Sequence, residues 1–283
     1  MQRLITGFLF ASLWASASVV TKIGLTAAQP LVLSNTRFFL AGIIMLLISV
    51  VLGKQVRPSK GEWLPMMIYG LLNVTIYLSA FVFAIQQITA GIGTLGVALC
   101  PLLISILHAL WLKNVVSRKI WTGLFLGLIG VAVATYPLLL TASVTLKGVA
   151  LLFFSMLSYS FGTVYFQSRK WELPLLSING WQILFGAFFL LPFTLTFLEP
   201  AANDLNGRFW FSVAWLIFPV SIAAVQLWLI LLKTEPTRAS LWLFLCPVFG
   251  FAYSAYFLNE GITHYTIIGT ILVISGLYIG RKK

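Results

Sequence analysis

The chain has 283 residues, of which 60% are hydrophobic and 8% are charged, and its mean hydropathy is +1.01. A soluble globular domain carries about a quarter charged residues, so this composition excludes one and predicts an integral membrane protein. The 18 basic and 6 acidic residues give a net charge of +12, but the basic residues are scattered between apolar runs without a continuous basic stripe, which argues against a nucleic-acid partner.

Ten apolar runs follow one another along the chain, and each is long enough for a helix to cross a bilayer core of about 30 Å. The predicted spans are 4–25, 32–53, 63–86, 90–112, 120–140, 147–167, 175–198, 210–232, 238–258 and 264–280. These runs lack the strict alternation of apolar and polar residues that a transmembrane β-strand requires. The sequence therefore predicts an all-α integral membrane protein with ten transmembrane helices.

Lysine and arginine are distributed unevenly between the connecting segments, and short loops rich in these residues stay in the cytoplasm. With a cytoplasmic N-terminus, only Lys147 and Arg208 fall outside. Two further basic residues lie within or at the ends of spans, and the other fourteen of the 18 fall inside. This asymmetry predicts that both termini are cytoplasmic in a multi-pass protein of the inner membrane. A cleavable signal peptide ending near Ala15-Ser16-Ala17 is the alternative for the start of the chain.

The second half of the chain repeats the first half. A shift of 146 residues aligns Cys100, Pro101, Gly123 and Gly130 with Cys246, Pro247, Gly269 and Gly276. A shift of 144 residues aligns Pro30, Leu31, Asn35 and Gly42 with Pro174, Leu175, Asn179 and Gly186. Each half holds five spans, and an odd number inserts the two halves in opposite orientations. The sequence therefore predicts two inverted five-helix repeats, 1–140 and 145–283, an architecture of alternating-access carriers whose substrate site lies near mid-membrane between the repeats.

With these features the chain resembles the EamA-type members of the drug/metabolite transporter superfamily over essentially its whole length. The residues that carry the resemblance are Leu13-Trp14-Ala15-Ser16 and Lys22 in span 1, Arg37 and Gly42 in span 2, Pro101 in span 4, and the stretch from Pro247 through Leu258-Asn259-Glu260 to Gly269 and Gly276. The first half departs from the family pattern at Lys113-Asn114-Val115, where a glycine–glutamate pair is common.

The resemblance implies a fold in which spans 1–4 and 6–9 surround a central cavity while spans 5 and 10 lie at the periphery. It also implies a secondary carrier, either an exporter or an importer, of amino acids, related metabolites or drugs. The superfamily includes carriers of sugar phosphates and nucleotide sugars, which stay open as the alternative substrate class.

Polar and aromatic residues within the spans are the candidates for the substrate cavity. Basic residues there are costly and usually face the interior or snorkel to the headgroups. Amides suit a zwitterionic or neutral ligand, although they also join helices to one another, and aromatic walls suit aromatic, apolar or cationic ligands. The predicted cavity residues are Trp14, Lys22, Asn35, Arg37, Asn73, Tyr77, Tyr159, Asn179, Trp181, Gln182 and Gln226.

Acidic residues fall in connecting segments or at span ends, so no proton relay through a deep carboxylate is predicted. Cys100 and Cys246 precede prolines within apolar runs and are interpreted as packing residues rather than as a disulfide or metal site. No serine elbow, HExxH pair or carboxylate pair is present. The sequence thus predicts no enzyme activity, no cofactor and no metal, with a small-molecule substrate and the lipid bilayer as partners. An intramembrane enzyme, a channel and a homodimer are left open.

Overall fold

The computed structural model of the chain describes residues 2–85, 87, 90–113, 116–140, 145–234, 236–258 and 262–281. This part of the chain is all helical and contains ten helices, so the predicted all-α, ten-helix fold is confirmed. Parts of the family-like motifs lie outside the described residues: Asn114, Val115, Asn259 and Glu260, together with the side chain of Lys22.

The ten helices begin and end within three residues of the predicted spans. They are α1, Gln2–Leu25; α2, Pro30–Val51; α3, Trp63–Gly70 continued by Leu71–Ile76 and Tyr77–Ile85; α4, Ala90–Trp111; α5, Arg118–Leu140; α6, Leu146–Ser168; α7, Leu175–Thr196; α8, Gly207–Trp215 continued by Leu216–Ala224 and Val225–Thr234; α9, Pro236–Ala239 continued by Ser240–Phe244 and Leu245–Leu258; and α10, His264–Arg281.

Six of the described helices are long and apolar enough to cross a membrane by length and composition. They are Arg3–Leu25, Pro30–Val51, Trp63–Ala84, Leu146–Ser168, Leu175–Thr196 and Gly207–Thr234. Shorter apolar stretches occupy Gly96–Trp111, Ser240–Tyr253 and His264–Gly280. Large apolar side chains at helical spacing are exposed on outer faces, such as Ile267, Ile271 and Ile274 of α10. Stripes of this kind are favourable against lipid and unfavourable against water.

Two helices at equivalent places in the two halves contain wide, π-helical turns. In α3 these turns span Leu71–Ile76, and in α8 they span Leu216–Ala224, which includes Pro219. Neither π-helical segment was predicted from the sequence. Because π-helical turns inside α-helices occur mainly at functional sites, their recurrence in both halves points to a role beyond packing.

A seam of glycines joins α5 to α10. A Cβ atom added at Gly123 would lie 2.6 Å from the carbonyl oxygen of Gly276, and one added at Gly130 would lie 2.7 Å from that of Gly269. The residue numbers rise along one helix while they fall along the other, so the two helices run antiparallel with their backbones in contact. Small residues allow such an approach in membranes.

Helices α2 and α7 also pack antiparallel. A Cβ added at Gly42 would lie 3.0 Å from the Cβ of Leu184 and 3.1 Å from the carbonyl oxygen of Gly180. Further along the pair, the Asn35 side chain donates a hydrogen bond of 2.8 Å to the hydroxyl of Thr194. The beginning of each helix therefore lies against the end of the other.

Connecting segments of the two halves are hydrogen-bonded to each other just beyond the end of α2. The buried carboxylate of Glu62 accepts hydrogen bonds from the backbone N–H groups of Ser59 at 3.0 Å, Glu172 at 2.8 Å and Leu173 at 3.3 Å. We call these contacts the Glu62 clamp. It fastens the segment between α2 and α3 to the one between α6 and α7.

A corresponding set of bonds lies at the opposite end of α2. The side chain of Gln29 accepts hydrogen bonds from the backbone N–H of Glu199 at 2.9 Å and from the Asn203 amide at 3.0 Å. The backbone N–H of Asp204 donates to the carbonyl of Ala27 at 2.7 Å. The two halves are therefore joined through their connecting segments at both ends of the α2–α7 pair.

Candidate functional site

Five aromatic rings from four helices form a continuous row through the interior. Trp228 of α8 stacks on Phe10 of α1 with ring centroids 5.1 Å apart, and Phe10 lies 5.6 Å from Trp14. Trp14 lies 6.3 Å from Tyr159 of α6, which is 5.0 Å from Tyr77 of α3. We call these residues the aromatic row. It brings together three of the predicted cavity residues, Trp14, Tyr77 and Tyr159.

The row lies well inside the helices that carry it. Tyr77 is eight residues from the nearer end of α3, and Tyr159 is nine residues from the nearer end of α6. At a rise of 1.5 Å per residue these positions are about 12 Å and about 14 Å from the helix ends. Helices α1 and α3 belong to the first half of the chain and α6 and α8 to the second, so the row crosses between the halves, and its tyrosine end lies near the middle of the helices.

Several buried polar atoms in and around the row have no hydrogen-bond partner among the described residues. They include the hydroxyl of Tyr159 and the Nε1 atom of Trp228 in the row, and the side-chain oxygens of two further predicted cavity residues, Asn73 and Gln226. Leaving a buried polar atom unpaired costs about 1–3 kcal/mol. Such atoms are uncommon in folded proteins and call for an explanation, of which ligand binding is one.

Arg37, another predicted cavity residue, lies within α2. It is seven residues into α2, or about 10 Å from the helix end at 1.5 Å per residue. Its guanidinium stacks over the ring of Phe38, with the central carbon 4.4 Å from the ring centroid. The Nε atom is buried without a hydrogen-bond partner in the described chain.

The two cysteines of the repeated Cys-Pro pair also lie near the row. Both are buried free thiols in the same apolar core as Phe10, Tyr159 and Trp228. The Sγ atom of Cys100 lies 3.4 Å from the Sδ atom of Met156. From the sequence, these cysteines were interpreted only as packing residues. Their recurrence at equivalent positions was the signal that could have placed them next to the site.

Other predicted cavity residues hold helices together instead of joining the row. The Asn35 side chain donates to Thr194 and lines a cavity of about 200 Å³ between α2 and α7. The Asn179 side chain donates to the carbonyl of Ser221 in the π-helical turns of α8 at 2.9 Å and accepts from Gln182 at 3.1 Å. These amides therefore form hydrogen bonds that join helices, which was the alternative to binding a ligand.

Trp181 lies close to one end of the bundle. Its Nε1 atom donates a hydrogen bond of 2.8 Å to the carbonyl of Val56, in the segment between α2 and α3. Its ring lies 5.1 Å from that of Trp63. Helical side chains lean towards the N-terminus of their helix, so a long indole six residues into α7 reaches back to a connecting segment.

The unpaired hydroxyl of Tyr159 leads to a stability prediction. We expect Tyr159→Phe to leave the free energy of unfolding unchanged or to raise it by about 1 kcal/mol, because it removes a buried group without a partner. Ser155→Ala on the same helix is the control, since that hydroxyl donates to the carbonyl of Tyr77 at 2.8 Å, and it should lower the stability by about 1 kcal/mol. Thermal unfolding of the purified protein measures both. Equal losses in the two variants would contradict the unpaired state of Tyr159.

Comparison with known proteins finds relatives that match nearly the full length of the chain. An uncharacterized transporter of Archaeoglobus fulgidus is 25% identical, with all of both chains aligned. Protein PecM of Dickeya dadantii is 26% identical over 94% of this chain and 88% of that protein. A Salmonella typhimurium protein named "Probable amino-acid metabolite efflux pump" is 27% identical over 94% of this chain and 90% of that protein.

A solved crystal structure shares the fold, with a TM-score of 0.81 at 19% identity over 99% of this chain and 96% of that one. The model of the EamA-like transporter family matches residues 2–136 and again residues 146–280. The family is one of membrane transporters, which distinguishes the chain from the intramembrane-enzyme alternative. Because both halves match, the resemblance stated from the sequence is confirmed, and the chain belongs to the EamA-like transporter family.

Proposed function

We propose that the chain is a secondary carrier that moves a small amino-acid-like or amphipathic metabolite by alternating access between two inverted repeats. The observation that carries the proposal is the antiparallel packing of equivalent helices. α2 lies antiparallel against α7, and α5 lies antiparallel against α10. When the two halves insert into the membrane in opposite orientations, their equivalent helices run antiparallel.

The aromatic row supports a substrate site between the repeats. Its rings come from both halves and lie near mid-depth, where carriers built from inverted repeats bind their substrates. Aromatic walls with a few polar groups suit a ligand that has an apolar body and a polar end. The name of the Salmonella relative agrees with an amino-acid-like metabolite and suggests efflux as the direction.

The π-helical turns of α3 and α8 support movement. A π-helical turn leaves the regular α-helical hydrogen-bond pattern, and here one occurs at the same place in each half. Tyr77 is the first residue after the π-helical turns of α3. A change in the winding of these turns would therefore rotate the Tyr77 ring at this end of the row.

Accessibility labelling tests the inverted arrangement. Lys54 and Leu205 are exposed in equivalent connecting segments of the two halves. In Lys54→Cys and Leu205→Cys variants, we expect a membrane-impermeant maleimide to label position 205 from outside intact cells and position 54 only after permeabilisation. The native cysteines are buried and provide the unlabelled background. Labelling of both positions from one side would contradict the inverted repeats.

Counterflow tests the carrier function. Proteoliposomes preloaded with an unlabelled mixture of amino acids and their metabolites should accumulate a labelled member transiently, with saturable kinetics, whereas protein-free liposomes should not. Exchange confined to sugar phosphates or nucleotide sugars would keep the carrier function and replace the proposed substrate class. Open-pore currents without counterflow would contradict the carrier itself.

A further inference from the structure

We propose that Asn179 is a positioning residue of the substrate site, because its hydrogen bond to the π-helical turns of α8 keeps Trp228 in the aromatic row. The proposal rests on the carrier function and deepens it, since it names the side chain that controls a moving part of the site. Loss of this bond lets the turns rewind into an α-helix, and the Trp228 ring then swings out of the row.

The two rings at the ends of the aromatic row each follow a π-helical segment along the chain. Tyr77 is the first residue after Leu71–Ile76, and Trp228 is the fourth residue after Leu216–Ala224. A π-helical turn bonds residues five apart, whereas an α-helical turn bonds residues four apart. Rewinding one such turn therefore moves the residues that follow it by one position, which is about 100° around the helix axis. The winding of each segment thus determines whether its ring lies in the row.

The π-helical turns of α8 are held by a side chain of α7. In an α-helix the N–H of Val225 would donate to the carbonyl of Ser221, four residues earlier. This N–H donates instead to the carbonyls of Val220 and Ile222. The Ser221 carbonyl accepts the buried side-chain amide of Asn179 at 2.9 Å. Side chains of neighbouring helices satisfy backbone groups that a distorted membrane helix frees, so Asn179 replaces the α-helical donor and stabilises the π-helical form.

The π-helical turns of α3 are held in a similar way by α6. The N–H of Tyr77 donates to the carbonyl of Val74, three residues earlier, instead of to the residue four positions earlier. The hydroxyl of Ser158 donates to the carbonyl of Leu72 inside the segment at 2.8 Å. The hydroxyl of Ser155 donates to the carbonyl of Tyr77 at 2.8 Å. A side-chain donor on a π-helical segment therefore occurs in both halves.

Helix α7 is bonded to both π-helical segments. Besides the bond from Asn179 to α8, the carbonyl of Gly186 accepts the hydroxyl of Thr75 in the π-helical turns of α3 at 3.0 Å. Asn179 and Gly186 are seven residues apart, or about two turns, so they lie on the same face of α7. One helix thus links the segments that set the two ends of the row.

The Trp228 side chain depends on the backbone of α8 for its position. Its Nε1 atom has no hydrogen-bond partner among the described residues. Its ring stacks on that of Phe10, with centroids 5.1 Å apart and planes inclined by 20°. A nucleus on the Trp228 ring therefore senses the stacked ring of Phe10 and reports whether Trp228 lies in the row.

Fluorine NMR of the full-length protein in detergent, labelled with 5-fluorotryptophan, tests the proposal. Trp228→Phe identifies the Trp228 resonance by removing it. We expect Asn179→Leu to shift this resonance or to add a second one. An unpaired buried carbonyl is costly, and rewinding returns the N–H of Val225 to the carbonyl of Ser221.

Two further variants separate the winding of α8 from folding in general. Pro219 lies within the π-helical turns and lacks the N–H that an α-helix needs. Pro219→Ala restores this donor, so it should move the Trp228 resonance in the same direction as Asn179→Leu. Asn35→Leu is the matched control, since the equivalent amide of α2 donates to Thr194 instead of to a π-helical segment. It should leave the Trp228 resonance in place.

The outcomes distinguish this role of Asn179 from the carrier function. The proposal is overturned by a Trp228 resonance that stays unchanged in Pro219→Ala and in folded Asn179→Leu, and equally by the same change in Asn35→Leu. Counterflow by the wild type together with an unchanged resonance would overturn the role of Asn179 alone. A moved resonance without any counterflow by the wild type would support the role of Asn179 in the winding and contradict the carrier.

Discussion

Gly130→Ala is expected to lower the free energy of unfolding by about 3 kcal/mol, although it adds a single methyl group. The new Cβ would lie 2.7 Å from the carbonyl oxygen of Gly269, 2.8 Å from the backbone nitrogen of Val273 and 2.9 Å from the Cβ of Leu272. Two of these atoms belong to the backbone of α10 and cannot turn away, so α5 and α10 must separate. Overpacking of this kind costs about 1–3 kcal/mol and occasionally more.

The matched control for Gly130→Ala is Gly250→Ala in α9. A Cβ added at Gly250 meets nothing within 4 Å, and alanine is favoured over glycine inside a helix by about 0.8–1.0 kcal/mol. Gly250→Ala should therefore be neutral or slightly stabilising. Chemical or thermal unfolding in detergent measures the difference between the two variants. If both behaved alike, the close contact of α5 with α10 would be wrong.

Glu62→Gln is expected to lower the free energy of unfolding by about 3 kcal/mol. The side chain is 6% exposed and accepts three backbone N–H groups. Hydrogen bonds to a charged group are worth about 1.5–3 kcal/mol each. In glutamine an NH₂ group replaces one of the two accepting oxygens, so at least one N–H of the Glu62 clamp faces another donor. Glu172→Gln is the control, because that side chain is exposed, and it should change the stability by less than about 0.5 kcal/mol.

The stability difference between the wild type and Glu62→Gln is also expected to depend on pH. Burial by itself raises the pKa of Glu62, but the N–H groups of Ser59, Glu172 and Leu173 outweigh it, so the pKa lies below the ordinary glutamate value. A lowered pKa in the folded state means that the carboxylate stabilises the fold above the unfolded-state pKa of about 4.3. This contribution is lost as the pH falls through the folded-state pKa. The stability difference between wild type and Glu62→Gln should therefore shrink on acidification, and a difference that stays constant would contradict the clamp.

Much of the fold was predictable from the sequence because lipid restricts what a chain can do. A backbone inside a bilayer must satisfy its own hydrogen bonds, so each sufficiently long apolar run becomes a helix. The predicted spans accordingly agree with the ten helices to within three residues. The repeated glycines of span 5 and span 10 are small residues of the kind that lets backbones approach, but the sequence did not predict that these two helices meet. Gly123 and Gly130 make that contact with Gly276 and Gly269.

Tertiary structure alone decided which polar residues meet. Asn35 and Arg37 are two residues apart on α2, yet the Asn35 amide bonds to Thr194 of α7 while the Arg37 guanidinium stacks on Phe38 of its own helix. Trp181 follows Asn179 by two residues, but its Nε1 atom donates a hydrogen bond to the carbonyl of Val56 in the segment between α2 and α3.

The physical reason is that the local sequence pattern determines each helix, whereas contacts between distant residues determine how the helices pack. Helical periodicity determines which face of a helix a residue occupies, and the hydrophobic pattern determines where the helix lies along the chain. Neither determines which other helix packs against that face, because that depends on contacts between residues far apart in the sequence. The sequence by itself therefore determined ten membrane helices in two similar halves. Only the packing of those halves decided that Trp14, Tyr77 and Tyr159 lie together, while Asn35, Asn179 and Trp181 bond to neighbouring helices and connecting segments.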